Sequence, residues 1–97
     1  MNIGLEEKDL DLIVDVFKAF PTVKKAVVFG SRANGKHKRG SDIDIALYGE
    51  SIPVNCIKSD LEDLPLPYFF DLVDISTVTN DALIEHINEF GVVVYET

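Results

Sequence analysis

The sequence predicts an α/β fold in which one mixed β-sheet packs against helices. Segments of helical and strand character follow one another in the order α-β-β-α-β-α-β, the pattern of a layered α/β domain. The run Lys25-Ala26-Val27-Val28-Phe29 is apolar without alternation after its lysine, as in a strand covered on both faces. Connection lengths supply the strand directions. Too few residues separate the strands starting at 25 and 42 for a covered parallel crossover, so these two are expected to be antiparallel neighbours. The longer passage through residues 53–64 permits a parallel crossover to a strand at 68.

Each element has its own signal. Residues 6–20 place Leu10, Ile13, Val14, Phe17 and Phe20 at three- and four-residue spacing between charged residues, and Pro21 ends that helix. After the strand at 25–29, residues 31–41 form a basic loop, with a helical turn possible after Ser31. The second strand runs from Asp42 to Tyr48 and closes at Gly49. Pro53 opens a second helix with Val54, Ile57 and Leu61 inward, and Pro65 and Pro67 forbid its continuation. Tyr68 to Ser76 is rich in aromatic and β-branched residues, as strands are. Thr79-Asn80-Asp81 offers a cap for a third helix bearing Leu83, Ile84, Ile87 and Phe90, which Gly91 stops. Val92 to Tyr95 then forms an edge strand.

Composition narrows the function. The 97 residues fit one domain, 1–97, with a real but modest core from 46% hydrophobic residues. A net charge of -8 argues against general binding to a phosphate backbone, which needs a basic face. The cations are nevertheless clustered: Arg32, Lys36, Lys38 and Arg39 fall in one loop. A lone Cys56 excludes an internal disulfide and suits a reducing cytoplasm. The N-terminal stretch lacks basic and apolar signal regions, and no apolar run approaches the ~20 residues of a membrane helix. A cytoplasmic location is expected.

The loop and its flanks carry the chemistry. Residues alternate faces along a strand, so Asp42 and Asp44 point the same way, and two same-facing carboxylates favour a cation between them. Hard oxygen ligands of this kind suit Mg²⁺ shared with substrate phosphates. Gly30-Ser31 brings backbone N–H groups and a hydroxyl toward the same phosphates, and the basic loop offsets a triphosphate that the acidic body repels. The bland reading, two solvated acids at a strand end, fits poorly with apolar Ile43, Ile45, Ala46 and Leu47 around them.

Gly30-Ser31 followed by Asp42-Ile43-Asp44 resembles the signature of the nucleotidyltransferase superfamily that shares its fold with DNA polymerase β. The resemblance covers nearly the whole chain and implies a polymerase-β-like fold. It also implies a third carboxylate within a hydrophobe-Asp-hydrophobe-hydrophobe pattern, supplied here by Phe70-Asp71-Leu72-Val73. Periodicity does not choose between Asp71 and Asp74, which face opposite ways on a regular strand. The resemblance prefers Asp71, and Asp74 stays open if the strand carries a bulge. Implied roles are then metal binding and catalysis by Asp42, Asp44 and Asp71, and nucleotide or phosphate binding by Gly30, Ser31, Arg32 and Ser41.

So short a chain is most similar to the minimal nucleotidyltransferase (MNT) family. That resemblance implies two Mg²⁺ ions, ATP or another nucleoside triphosphate, and a helical HEPN-type partner, an RNase toxin for which the MNT protein is the antitoxin. Transfer of AMP to that toxin is the leading expectation. A small-molecule nucleotidyltransferase completed by its partner and a non-catalytic binding module are the alternatives. His37 and His86 lack a second ligand at metal spacing and read as surface residues, while Cys56 reads as a packed thiol. Tyr48 and the aromatics Tyr68, Phe69, Phe70, Phe90 and Tyr95 read as core or interface, with some of the last group exposed for a partner or a second copy.

Overall fold

The computed structural model describes residues 4–30, 32 and 42–97. Three helices and four strands follow the expected order: α1 (Glu7–Lys18), β1 (Val23–Phe29), β2 (Ile43–Gly49), α2 (Val54–Glu62), β3 (Phe70–Asp74), α3 (Asp81–Phe90) and β4 (Val92–Glu96). The strands form one sheet in the order β3-β2-β1-β4. β1 pairs antiparallel with β2 and with β4, whereas β2 and β3 run parallel, joined through α2. The mixed sheet and both expected strand relationships are therefore present.

Period-two alternation divides the core between the faces. Ile43, Ile45 and Leu47 of β2 join Phe70 of β3 against Ile13 and Phe17 of α1 and Ile57 and Leu61 of α2. Val27, Phe29 and Ala46 point the other way, where Ile87 of α3 covers them. β1 is buried from both sides, which is why its sequence is apolar without alternation.

Boundaries differ where local chemistry intervenes. The expected strand through Ser76 stops at Asp74, because the Asp74 carboxylate accepts hydrogen bonds from the Ser76 N–H (3.0 Å) and hydroxyl (2.7 Å) and starts a 3₁₀ turn, Ile75–Thr77. Asn80 caps α3 by accepting from the Leu83 N–H, and the Gly91 N–H closes the helix on the Ile87 carbonyl. Phe70 is in the core and Tyr95 stacks on Phe17 at 6.0 Å, but Phe69 is 71% exposed and Phe90 44%. Cys56 is exposed, correcting its expectation as a packed thiol, because it lies on the outer side of α2, next to inward-facing Ile57. Among the described residues no helix is long and apolar enough to cross a membrane.

Candidate active site

The end of β1 and the beginnings of β2 and β3 meet at one edge of the sheet. The β2–β3 ladder keeps one register, from Ile43 beside Phe70 to Leu47 beside Asp74, so Asp44 lies directly beside Asp71. Both acids share the α3-side face with Ala46 and Val73. Asp74 lies at the far end of the ladder beside Leu47, with its carboxylate engaged by Ser76. No bulge intervenes between the two, so the register brings Asp71 to Asp44 and leaves Asp74 away.

Burial pushes the half-buried Asp44 carboxyl above the usual carboxylate range, and the negative charges of Asp71 and Asp42 push it further. A side-chain hydrogen bond with Asp71 acts in the same direction, so the neutral form of Asp44 shares its proton with its neighbour. A proton on His86 would pull the other way. Asp42 lies just ahead of β2 and is exposed, outside the strand that was expected to include it. Among the described residues no group of three or more His, Cys, Asp or Glu side chains is gathered to hold a metal ion. What the strands assemble is a tight acid pair, Asp44 and Asp71, with Asp42 close enough to be felt electrostatically.

Gly30 follows β1 and turns the chain at a φ of 78°, in the left-handed region that favours glycine. A Cβ there would collide with the Asp44 carboxylate, so glycine also permits the close approach of turn and acid. Ser31, Ser41 and the loop residues Lys36, His37, Lys38 and Arg39 lie outside the described residues. Arg32, expected as a phosphate-binding residue of the basic loop, is a buried side chain. It is 2% exposed, its guanidinium lies over the Tyr68 ring at 5.1 Å, and it donates to the Gly4 carbonyl at 3.4 Å. A short side chain could not reach these partners, and an arginine can bury its charge only where such acceptors wait.

His86 was expected at the surface and is not there. It is half-buried on α3, and its Nε2 accepts the Gly30 N–H at 3.1 Å. Its ring meets Phe29 edge-on at 6.4 Å and Phe90 at 5.4 Å. The signal available in sequence was its helical phase: His86 lies three residues after Leu83 on α3. At the opposite end of the sheet a wide concavity of about 660 Å³ is lined by Pro21, Thr22, Lys24, Gly49, Glu50 and Ser51. It holds no paired carboxylates.

Known proteins share this fold. The chain is 26% identical to the probable protein adenylyltransferase MntA of Haemophilus influenzae over 99 aligned residues, covering 98% of this chain and 86% of that one. It matches a chain in a crystal structure of a toxin–antitoxin with AMP-PNP, at a TM-score of 0.72 and 26% identity, covering 91% of this chain and 73% of the other. A structure of tri-AMPylated Shewanella oneidensis HEPN toxin in complex with MNT antitoxin contains a chain matching at a TM-score of 0.68 and 22% identity, over 96% of this chain and 74% of the other, and so shares the fold. Residues 7–97 match the family described as Polymerase beta, Nucleotidyltransferase. With its sheet, acid pair and glycine turn in place, this chain belongs to the polymerase beta nucleotidyltransferase family and is a nucleotidyltransferase.

Proposed function

We propose that the chain transfers AMP from ATP to a hydroxyl of a HEPN-type RNase toxin, as its antitoxin, in a metal-dependent reaction within one nucleotidyltransferase domain. The observation that carries the reading is the Asp44–Asp71 pair set against the Gly30 turn. The likeness to an adenylyltransferase and to a toxin–antitoxin chain crystallised with AMP-PNP supports the nucleotide and the partner.

The acid pair fits a divalent cation. Burial, with the repulsion of the neighbouring carboxylates, raises Asp44, and hard oxygen donors suit Mg²⁺. Asp42, Asp44 and Asp71 are the proposed ligands, for two ions, and the bound metal would neutralise the triphosphate and make the acceptor hydroxyl more acidic. Gly30 lets the backbone approach the phosphates closely, with Ser31 and Ser41 as the proposed phosphate-binding hydroxyls. Buried Arg32 holds positive charge at the start of the loop, tied to Tyr68 and Gly4.

In the transfer step the acceptor oxygen forms a bond to the α-phosphorus while the bond from that phosphorus to the bridging oxygen breaks. Pyrophosphate leaves with the electron pair, and Asp71 takes the acceptor's proton as general base. A HEPN-type partner would close the open acid edge, and exposed Phe69 offers it an apolar contact.

Incubating the chain with Mg²⁺ and ATP labelled in its α-phosphate, with and without a HEPN-type toxin protein, tests the proposal. Label on that protein only when chain and metal are both present is the expected result. Label on a small molecule instead, or a tight complex with no label, would overturn it.

A further inference from the structure

We propose that His86 is a positioning residue of this site, its imidazole fixing the Gly30 turn against Asp44. The inference rests on the transfer reading above and adds a residue that reading does not use. The β1–β2 ladder ends at Phe29 beside Asp44, and the β1–β4 ladder ends at Val28 beside Val92. The Gly30 N–H therefore lies beyond both ladders, where a half-buried donor needs a partner from elsewhere. His86 supplies it from 56 residues away, with Nε2 accepting at 3.1 Å. An accepting Nε2 carries no proton, so the neutral ring holds its proton on Nδ1.

The ring is not free to swing, because Phe29 meets its edge and Phe90 lies against it. That clamp transmits the position of α3 to the turn. Gly30 in turn lies so near the Asp44 carboxylate that a Cβ there would collide with it. One hydrogen bond thus ties α3 to the end of β1, and through the Gly30 turn it bears on the space in which Asp44 lies. A displacement of about 1 Å at such a point costs up to ~100-fold in rate when reacting groups must be held in line.

Two variants separate positioning from simple packing. His86→Phe keeps a ring between Phe29 and Phe90 but has no acceptor, and His86→Gln places a carbonyl oxygen near the position of Nε2. Positioning predicts that His86→Phe lowers kcat about 10- to 100-fold with little change in KM for ATP, and that His86→Gln recovers most of the loss. In the wild-type chain, ¹⁵N NMR should show a coupling between the Gly30 amide nitrogen and Nε2 across the hydrogen bond. A missing coupling overturns the proposal even if His86→Phe fails to fold. Equal kcat in His86→Phe and wild type, or His86→Gln no faster than His86→Phe, overturns it too. A wild-type chain that transfers nothing sinks the functional reading and this one with it, whereas an active wild type beside an equally active His86→Phe sinks this one alone.

Discussion

The two faces of the sheet are built differently. On one, α1 and α2 both lie over the strands, and Ile13, Phe17, Ile57 and Leu61 are each at most 1% exposed. On the other, α3 contributes a single fully buried side chain, Ile87, and Tyr48, Val73 and Ile75 are only half-covered. The acids Asp44 and Asp71 sit on this thinner face, in strands whose alternate residues anchor the thicker one. Alternation lets one strand do both jobs: Ile43 and Ile45 bind it to the core while Asp44 between them faces the site. A deep core on one side makes it possible to keep repelling charges on the other.

The sharpest test of that division removes the charges. Asp44→Asn and Asp71→Asn should each lower transfer by about a thousandfold or more, roughly 4 kcal/mol of transition-state stabilisation, if the acids hold metal as proposed. The folded state should survive, and Asp44→Asn should melt at a higher temperature than wild type because it relieves burial of a charge and like-charge repulsion. Rates of partner labelling and thermal melts of the same samples check both halves. Loss of folding in either variant would mean that the thin face is structural after all.

Truncating the core reverses the pattern. Phe17→Ala should cost about 3–5 kcal/mol, since it opens a cavity among Ile13, Ile45 and Tyr95 on the thick face. Ile87→Ala should cost about 2 kcal/mol, at the low end for such changes, because the half-covered surroundings can collapse inward. Urea unfolding measures the two directly. Equal costs would erase the distinction between the faces.

The thick face was legible in the sequence and the thin one only partly. Helical spacing in α1 and α2 reported their buried sides, and the unalternating apolar run of β1 reported its double burial. The motif singled out Gly30, Asp42, Asp44 and Asp71, and the unshifted β2–β3 register explains why Asp71 and not Asp74 lies beside Asp44. His86 escaped because its partner is a backbone N–H, which no side-chain pattern announces. The cover of Arg32 by Tyr68 and Gly4 was not legible for a related reason: nothing beside the glycine turn in sequence announces these distant partners. Cys56 was taken for a packed thiol because it lies on a helix, yet it is on a different side of α2 from inward Ile57.

A smaller effect follows from pH. The folded chain holds the Asp44 proton more tightly than the unfolded chain does, because burial and the charges of Asp71 and Asp42 raise its pKa. This contribution to stability is full below the ordinary aspartate value, about 4, and is lost as pH rises through the higher folded value. Without metal, the difference in melting temperature between Asp44→Asn and wild type should therefore widen from acid to neutral pH in favour of the variant. Added Mg²⁺ should narrow it. A difference independent of pH would show that the acid pair places no strain on the thin face.

The smallest expected effect belongs to Asp74, the acid the strand carries away from the site. Its carboxylate accepts from the Ser76 N–H and hydroxyl, so Asp74→Ala should cost about 1 kcal/mol, as the loss of a capping side chain does. Asp74→Asn keeps an acceptor oxygen and should cost less. Transfer by either should stay within about twofold of wild type, since its place in the register beside Leu47 is three residues beyond Asp71 and its role is local. Comparing Asp74→Asn with Asp71→Asn in the labelling assay puts the two acids of one strand on opposite sides of the argument. If Asp74→Asn loses transfer as completely as Asp71→Asn, the catalytic face extends to the end of β3 and the division between a thick structural side and a confined acid edge fails.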